Sequence, residues 1–252
     1  MTTNHIEFSI DATDGRKFLA VYYPVGDPEF PLSRLSAYDQ ARVDVVELGV
    51  KAKDPFADGA VVHAAMDRAA GVGRVSEARD ALEAVREFSH TSMGMIFGYD
   101  SEVFTSEPEI WAEVDGLLCL GQDETSRLAL CDAARAKGTR ITEFVPYELP
   151  LCSRQAAVNA ESYVMLQYLP GKTGARVETD QLLKPRLEKM RRAGVERPIL
   201  VGIGISHHDQ IRHALDTGAD GVVVGSKAIE KGLQGHGALE DYLCGIREVL
   251  DG

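Results

Sequence analysis

Two carboxylates stand where an apolar run gives way to a loop. Glu47 lies within Val46-Glu47-Leu48-Gly49-Val50, among residues that mark a buried strand. An ionised carboxylate is costly to bury among apolar neighbours, so such a group keeps its proton to higher pH and suits general acid chemistry near neutrality. Asp58 follows in Asp54-Pro55-Phe56-Ala57-Asp58-Gly59 and offers a second carboxylate, for proton transfer or for holding a substrate N–H. Asp54 before proline and Asp58 before glycine also suit plain turns. Late in the chain, Gly202-Ile203-Gly204-Ile205-Ser206 and Val224-Gly225-Ser226-Lys227 bring glycines to the ends of two further apolar runs. Backbone N–H groups there can approach a ligand closely, and a following helix N-terminus adds positive partial charge; together these make a cradle for a phosphate. Lys227 is read either as a phosphate neighbour or as a surface lysine.

The elements that would position these groups alternate along the whole chain. Apolar runs at Phe18–Tyr23, Val43–Gly49, Met93–Phe97, Gly116–Leu120, Thr139–Val145, Tyr163–Gln167, Ile199–Gly202 and Gly221–Val224 read as about eight strands, several apolar on consecutive positions as in a helix-covered parallel sheet. Between them, Arg74–Phe88 shows helical spacing, and Ser206-His207-His208-Asp209 opens a helix through Leu215 that Gly218 closes. Asp44, Asp115 and Asp220 each precede a buried strand, and their separations of 71 and 105 positions approximate two and three copies of a unit of about 35 residues. The pattern predicts an α/β fold, a single (β/α)8 TIM barrel domain over residues 1–252, whose functional groups sit at the C-terminal ends of the strands. A doubly wound sheet is the competing architecture.

With 252 residues, 44% of them hydrophobic, the chain can build a sizeable core. Lys and Arg total 27 against 39 Asp and Glu, a formal charge of −12 with no basic stripe, which argues against nucleic acid or an anionic membrane as partner. Apolar runs are far shorter than the ~20 residues of a spanning helix, and Met1–Glu7 lacks the charge and apolar pattern of a secretory signal, so a cytoplasmic setting is expected. The four cysteines form no C-x-x-C pair, and His207-His208 has no third ligand at suitable spacing, so no metal is expected. Pro170-Gly171-Lys172-Thr173-Gly174-Ala175-Arg176 lacks the spacing of a nucleotide-binding P-loop and reads as a lid over substrate or as a solvated loop.

In order and spacing, Tyr22-Tyr23-Pro24-Val25-Gly26-Asp27-Pro28, the Glu47 and Asp58 blocks, Gly171-Lys172-Thr173-Gly174-Ala175, Gly202-Ile203-Gly204-Ile205-Ser206 and Gly225-Ser226 resemble the tryptophan synthase alpha subunit family, from about Phe18 to Lys231. The resemblance implies a cofactor-free lyase that cleaves indole-3-glycerol phosphate to indole and glyceraldehyde 3-phosphate. It implies Glu47 as the acid/base at the indole carbon, Asp58 as partner of the indole N–H, and Gly174, Gly204, Gly225 and Ser226 as phosphate ligands. Thr173 would dock on Asp58 when the lid closes, and a beta-type subunit would be the partner.

The chain also departs from the family. Lys51-Ala52-Lys53 replaces the usual Pro-Phe-Ser in the loop that meets the beta subunit, Gly98-Tyr99-Asp100 replaces Tyr-x-Asn, Leu120-Gly121-Gln122 ends the fourth strand without the expected Asp, and Met165 stands for a Tyr. Tyr22, Tyr99, Asp100 and Met165 are accordingly expected to line a rebuilt pocket. Two other functions stay open at this stage: a retro-aldol lyase or isomerase acting on a different phosphorylated substrate, and a non-catalytic subunit that binds a phosphorylated ligand.

Overall fold

The computed structural model describes residues 15–52, 54–69, 75–99, 107–121, 123–171 and 179–252. Eight parallel strands, β1 (Phe18–Pro24), β2 (Val45–Gly49), β3 (Met93–Tyr99), β4 (Gly116–Leu120), β5 (Arg140–Val145), β6 (Val164–Gln167), β7 (Ile199–Gly202) and β8 (Gly221–Val224), close into one barrel in sequence order. β1 pairs with β8, Phe18 against Gly221, and this seals the ring. Every residue of β1, β2, β3, β4, β6, β7 and β8 is buried, as the unbroken apolar runs require for strands packed on both faces.

The helices among the described residues are α1 (Leu35–Gln40), α2 (Ala60–Arg68), α3 (Val75–Arg86), α4 (Glu124–Arg135), α5 (Leu151–Val158), α6 (Leu183–Arg192), α7 (His208–Asp216), α8 (Ser226–Gln234) and α9 (His236–Asp251). None is long and apolar enough to cross a membrane. Asp123 caps α4 by accepting from the backbone N–H of Thr125 and Ser126. The capping group of α7 is Gln210, whose side-chain oxygen accepts from the N–H of Ser206 and His207. Gly218, at φ +103°, ends that helix as expected.

The three echoed aspartates do one job. At the N-terminal end of the barrel, Asp44 accepts the N–H of Leu19, Asp115 that of Gly94 and Asp220 that of Ile199, each from the strand before its own. Glu161 does the same for Ile141 ahead of β6. One carboxylate thus stitches each odd strand to the even strand that follows it. The carbonyls of Asp44, Asp115 and Asp220 in turn accept from Met93, Arg140 and Phe18 of the next strand round. The even 35-residue unit needs correction: the interval from Asp44 to Asp115 spans two strands, but that from Asp115 to Asp220 spans four, because the later strand–helix units are shorter. Strand β2 also begins at Val45 rather than Val43, since the Val43 N–H turns back to Tyr38 O. β3 runs on to Tyr99, two residues past the expected end.

Candidate active site

Strand β2 carries Glu47 in the middle of the barrel wall, 1% exposed. Its Oε1 accepts a hydrogen bond of 2.5 Å from the hydroxyl of Tyr163, which stands just before β6. β2 and β6 are not neighbours in the ring, so this bond crosses the interior and Glu47 points inward. Removal from water pushes the carboxyl up from its ordinary 4.5 to about 7; the Tyr163 hydrogen bond pulls it back somewhat, and the nearby charge of Asp58 raises it again. Such a group is half protonated near neutral pH and can both give and take a proton.

Asp58 lies on the loop between β2 and α2, only 4% exposed despite its loop position. Tyr99, the last residue of β3, donates to its Oδ2 at 2.7 Å. Tyr99 stands edge-on to both Phe56 and Phe97, with centroids 5.2 and 6.0 Å apart, and Phe97 stands edge-on to Tyr22 at 5.6 Å. An aromatic wall therefore runs from β1 across β2 to β3. Gly49 makes that crossing possible: a Cβ there would lie 1.9 Å from Cζ of Tyr22.

On the far side of the mouth, β7 ends in a tight turn in which Ile203 and Gly204 both take left-handed backbone, at φ +58° and +106°. A β-branched residue rarely adopts that conformation, so the turn is held against local preference. A side chain on Gly204 would meet Leu169 at 2.9 Å. Met165, on β6, packs below: a Cβ on Gly202 would fall 2.8 Å from both its Cε and Val223 Cβ. After β8, Gly225 leads directly into α8, whose first residue, Ser226, is 5% exposed. Its hydroxyl is buried with no hydrogen-bond partner among the described residues. A helix N-terminus with glycine at its cap and an unsatisfied hydroxyl presents donors to an anion. Lys227 is paired with Glu230 at 2.8 Å within α8.

The structure thus gathers Asp58, Tyr99, Gly204, Gly225 and Ser226 around the C-terminal end of one barrel, with Glu47, Tyr22 and Met165 on the strands below them. Thr173, Gly174 and Asp100 lie outside the described residues. Tyr163 escaped the sequence reading except as a strand boundary. Its spacing of two from Met165 was the available signal, because alternate residues of a strand share a face. Among the described residues, no group of three or more His, Cys, Asp and Glu is placed to hold a metal ion.

The sequence matches the family model for the tryptophan synthase alpha chain over residues 8–241. It is 31% identical over 245 residues to the tryptophan synthase alpha chain of Synechococcus elongatus, covering 90% of each chain. To that of Caldanaerobacter subterraneus it is 27% identical over 259 residues, covering 94% of this chain and 95% of the other. A mutant tryptophan synthase alpha-subunit from Pyrococcus furiosus aligns at a TM-score of 0.74 and 25% identity, over 95% of this chain and 99% of that one. Mycobacterium tuberculosis tryptophan synthase shares the fold at a TM-score of 0.78 and 23% identity, over 94% and 93%. By this match over most of its length, the chain belongs to the tryptophan synthase alpha chain family.

Proposed function

We infer that the protein is a carbon–carbon lyase that cleaves indole-3-glycerol phosphate to indole and glyceraldehyde 3-phosphate, with Glu47 as its acid/base. What supports the reading most is the inward carboxyl of Glu47, titrating near neutrality, in the same barrel mouth as the Gly204 and Gly225–Ser226 turns. The phosphate rests on the β7 and β8 turns, where Ser226 supplies a hydroxyl and the start of α8 its N–H groups. Gly174 would join it and Thr173 would dock on Asp58, both from outside the described residues.

Glu47 in its acid form gives a proton to the indole carbon that bears the side chain, and the ring becomes a cation. Asp58 accepts the indole N–H and stabilises that charge, which develops in a buried setting where it counts most. The resulting Glu47 carboxylate takes the proton from the adjacent side-chain hydroxyl as its oxygen becomes a carbonyl. The electrons of the breaking carbon–carbon bond return to the ring, indole leaves, and Glu47 ends protonated as it began. Tyr163 holds the carboxyl at the right side of the cavity, and Tyr99 holds Asp58.

The partner implied is a tryptophan synthase beta-type subunit, meeting the rim around Lys51, Ala52 and Phe56. Phe56, 37% exposed beside Tyr99, offers an apolar contact there. The direct test is incubation of the purified protein with indole-3-glycerol phosphate, alone and with a beta subunit, while indole release is followed. Indole is expected, and Glu47→Gln is expected to lower kcat by about 10²- to 10⁴-fold. No indole under either condition overturns the substrate assignment.

A further inference from the structure

Buried polar groups in folded proteins nearly always find partners, so each exception calls for a reason. The hydroxyl of Tyr22 is such an exception: it is buried and has no hydrogen-bond partner among the described residues. The two carboxylates nearest in character already have tyrosine donors, Glu47 from Tyr163 and Asp58 from Tyr99. Burial, with the charges of Asp58 and Glu47 close by, holds the Tyr22 phenol firmly protonated, so it is a donor.

Its position gives the reason. In the β1–β2 register Tyr22 is level with Glu47. On its other flank the β1–β8 register reaches Val21 against Val224, and a Cβ on Gly225 would lie 3.4 Å from that of Tyr22. The Cβ of Tyr22 therefore borders the turn that receives the phosphate, while its ring crosses to Gly49, where a Cβ would lie 2.0 Å from its hydroxyl, two residues beyond Glu47 on the same face of β2. In indole-3-glycerol phosphate, what joins the ring to the phosphate is a three-carbon chain bearing two hydroxyls.

We propose that Tyr22 is a specificity-determining residue whose hydroxyl donates to a side-chain hydroxyl of the substrate, so that the site distinguishes a glycerol chain from a bare alkyl chain. This rests on the lyase reading above. The experiment compares Tyr22→Phe with the wild type on two ligands: indole-3-glycerol phosphate, by kcat/KM for indole release, and the analogue with an unsubstituted propyl phosphate chain, by its inhibition constant. Tyr22→Phe keeps the ring that packs on Gly49 and Phe97, and its unliganded urea midpoint is expected to be no lower than that of the wild type. The expected result is a loss of about 5- to 20-fold in kcat/KM with less than a twofold change for the analogue. An unchanged kcat/KM, an equal loss on both ligands, or a lowered urea midpoint would overturn the proposal, the last because it would reveal an internal partner. If the wild type itself releases no indole, it is the lyase reading that fails; if the wild type is active and the variant indistinguishable from it, only the role of Tyr22 falls.

Discussion

At the scale of single residues, the site is a set of carboxylates and tyrosines in which each carboxylate has a tyrosine donor. Glu47 carries the largest consequence, because its burial raises its affinity for a proton in the fold relative to the unfolded chain. Below about pH 4.5 both states hold the proton and the group contributes nothing to stability. Between there and pH 7 the folded state keeps a proton that the unfolded state has lost, so stability falls as pH rises. Above pH 7 the full penalty is present, about 3 kcal/mol from a displacement of two to three pH units. Glu47→Gln removes the ionisation. We expect the variant to match the wild type in urea unfolding near pH 4.5 and to exceed it by up to about 3 kcal/mol at pH 8.5. A difference that does not change with pH would show that Glu47 is not buried as a charge.

At the scale of elements, the meeting of β1, β2 and β3 decides the shape of the pocket. Tyr22 and Phe97 belong to strands that flank β2, and they touch because Gly49 puts no atom between them. A methyl on Gly49 would fall within about 2 Å of the Tyr22 ring, which is 4% exposed and packed edge-on against Phe97. Gly49→Ala should destabilise the fold by about 1–3 kcal/mol. In a Tyr22→Ala background the same substitution should be nearly neutral, so a double-mutant cycle by urea denaturation should give a coupling of that size. Additive effects would mean that Gly49 serves some other contact.

Across the whole molecule, the barrel divides its labour between its two ends. The C-terminal mouth holds the strained turn at Ile203 and the hydroxyls of Tyr22 and Ser226, which have no hydrogen-bond partner among the described residues, whereas Asp44, Asp115, Glu161 and Asp220 stitch the strands together at the N-terminal end. The C-terminal helix α9 locks that stitched end. Its Arg247, 7% exposed, donates to Asp44 at 2.6 Å and to the carbonyls of Lys17, Ala41 and Arg42. Removing it leaves the fully buried Asp44 with Arg16 as its ion-pair partner among the described residues and takes a donor from each of three carbonyls. Arg247→Ala is therefore expected to cost about 3–5 kcal/mol. Its kcat should survive wherever the variant is folded, because the lock lies at the end of the barrel away from the site. A urea midpoint within error of the wild type would show that α9 does not depend on this contact.

Much of this was legible in the sequence because strand burial and turn chemistry are local. Unbroken apolar runs marked eight strands to within a few residues, a carboxylate inside one of them marked Glu47, and glycines past β7 and β8 marked two turns at the barrel mouth. The repeated aspartates announced a repeating unit, although its uneven length came only with the coordinates. What no local pattern could supply was contact across the ring. Tyr163 and Glu47 are 116 positions apart, and their hydrogen bond depends on barrel closure bringing β2 opposite β6. The same closure sets Tyr22 between β2 and β8, with no hydrogen-bond partner for its hydroxyl among the described residues. The amino-acid sequence determined which chemical groups reach the mouth; the tertiary structure decided which of them meet, because distances across a closed sheet depend on register and curvature rather than on neighbours along the chain.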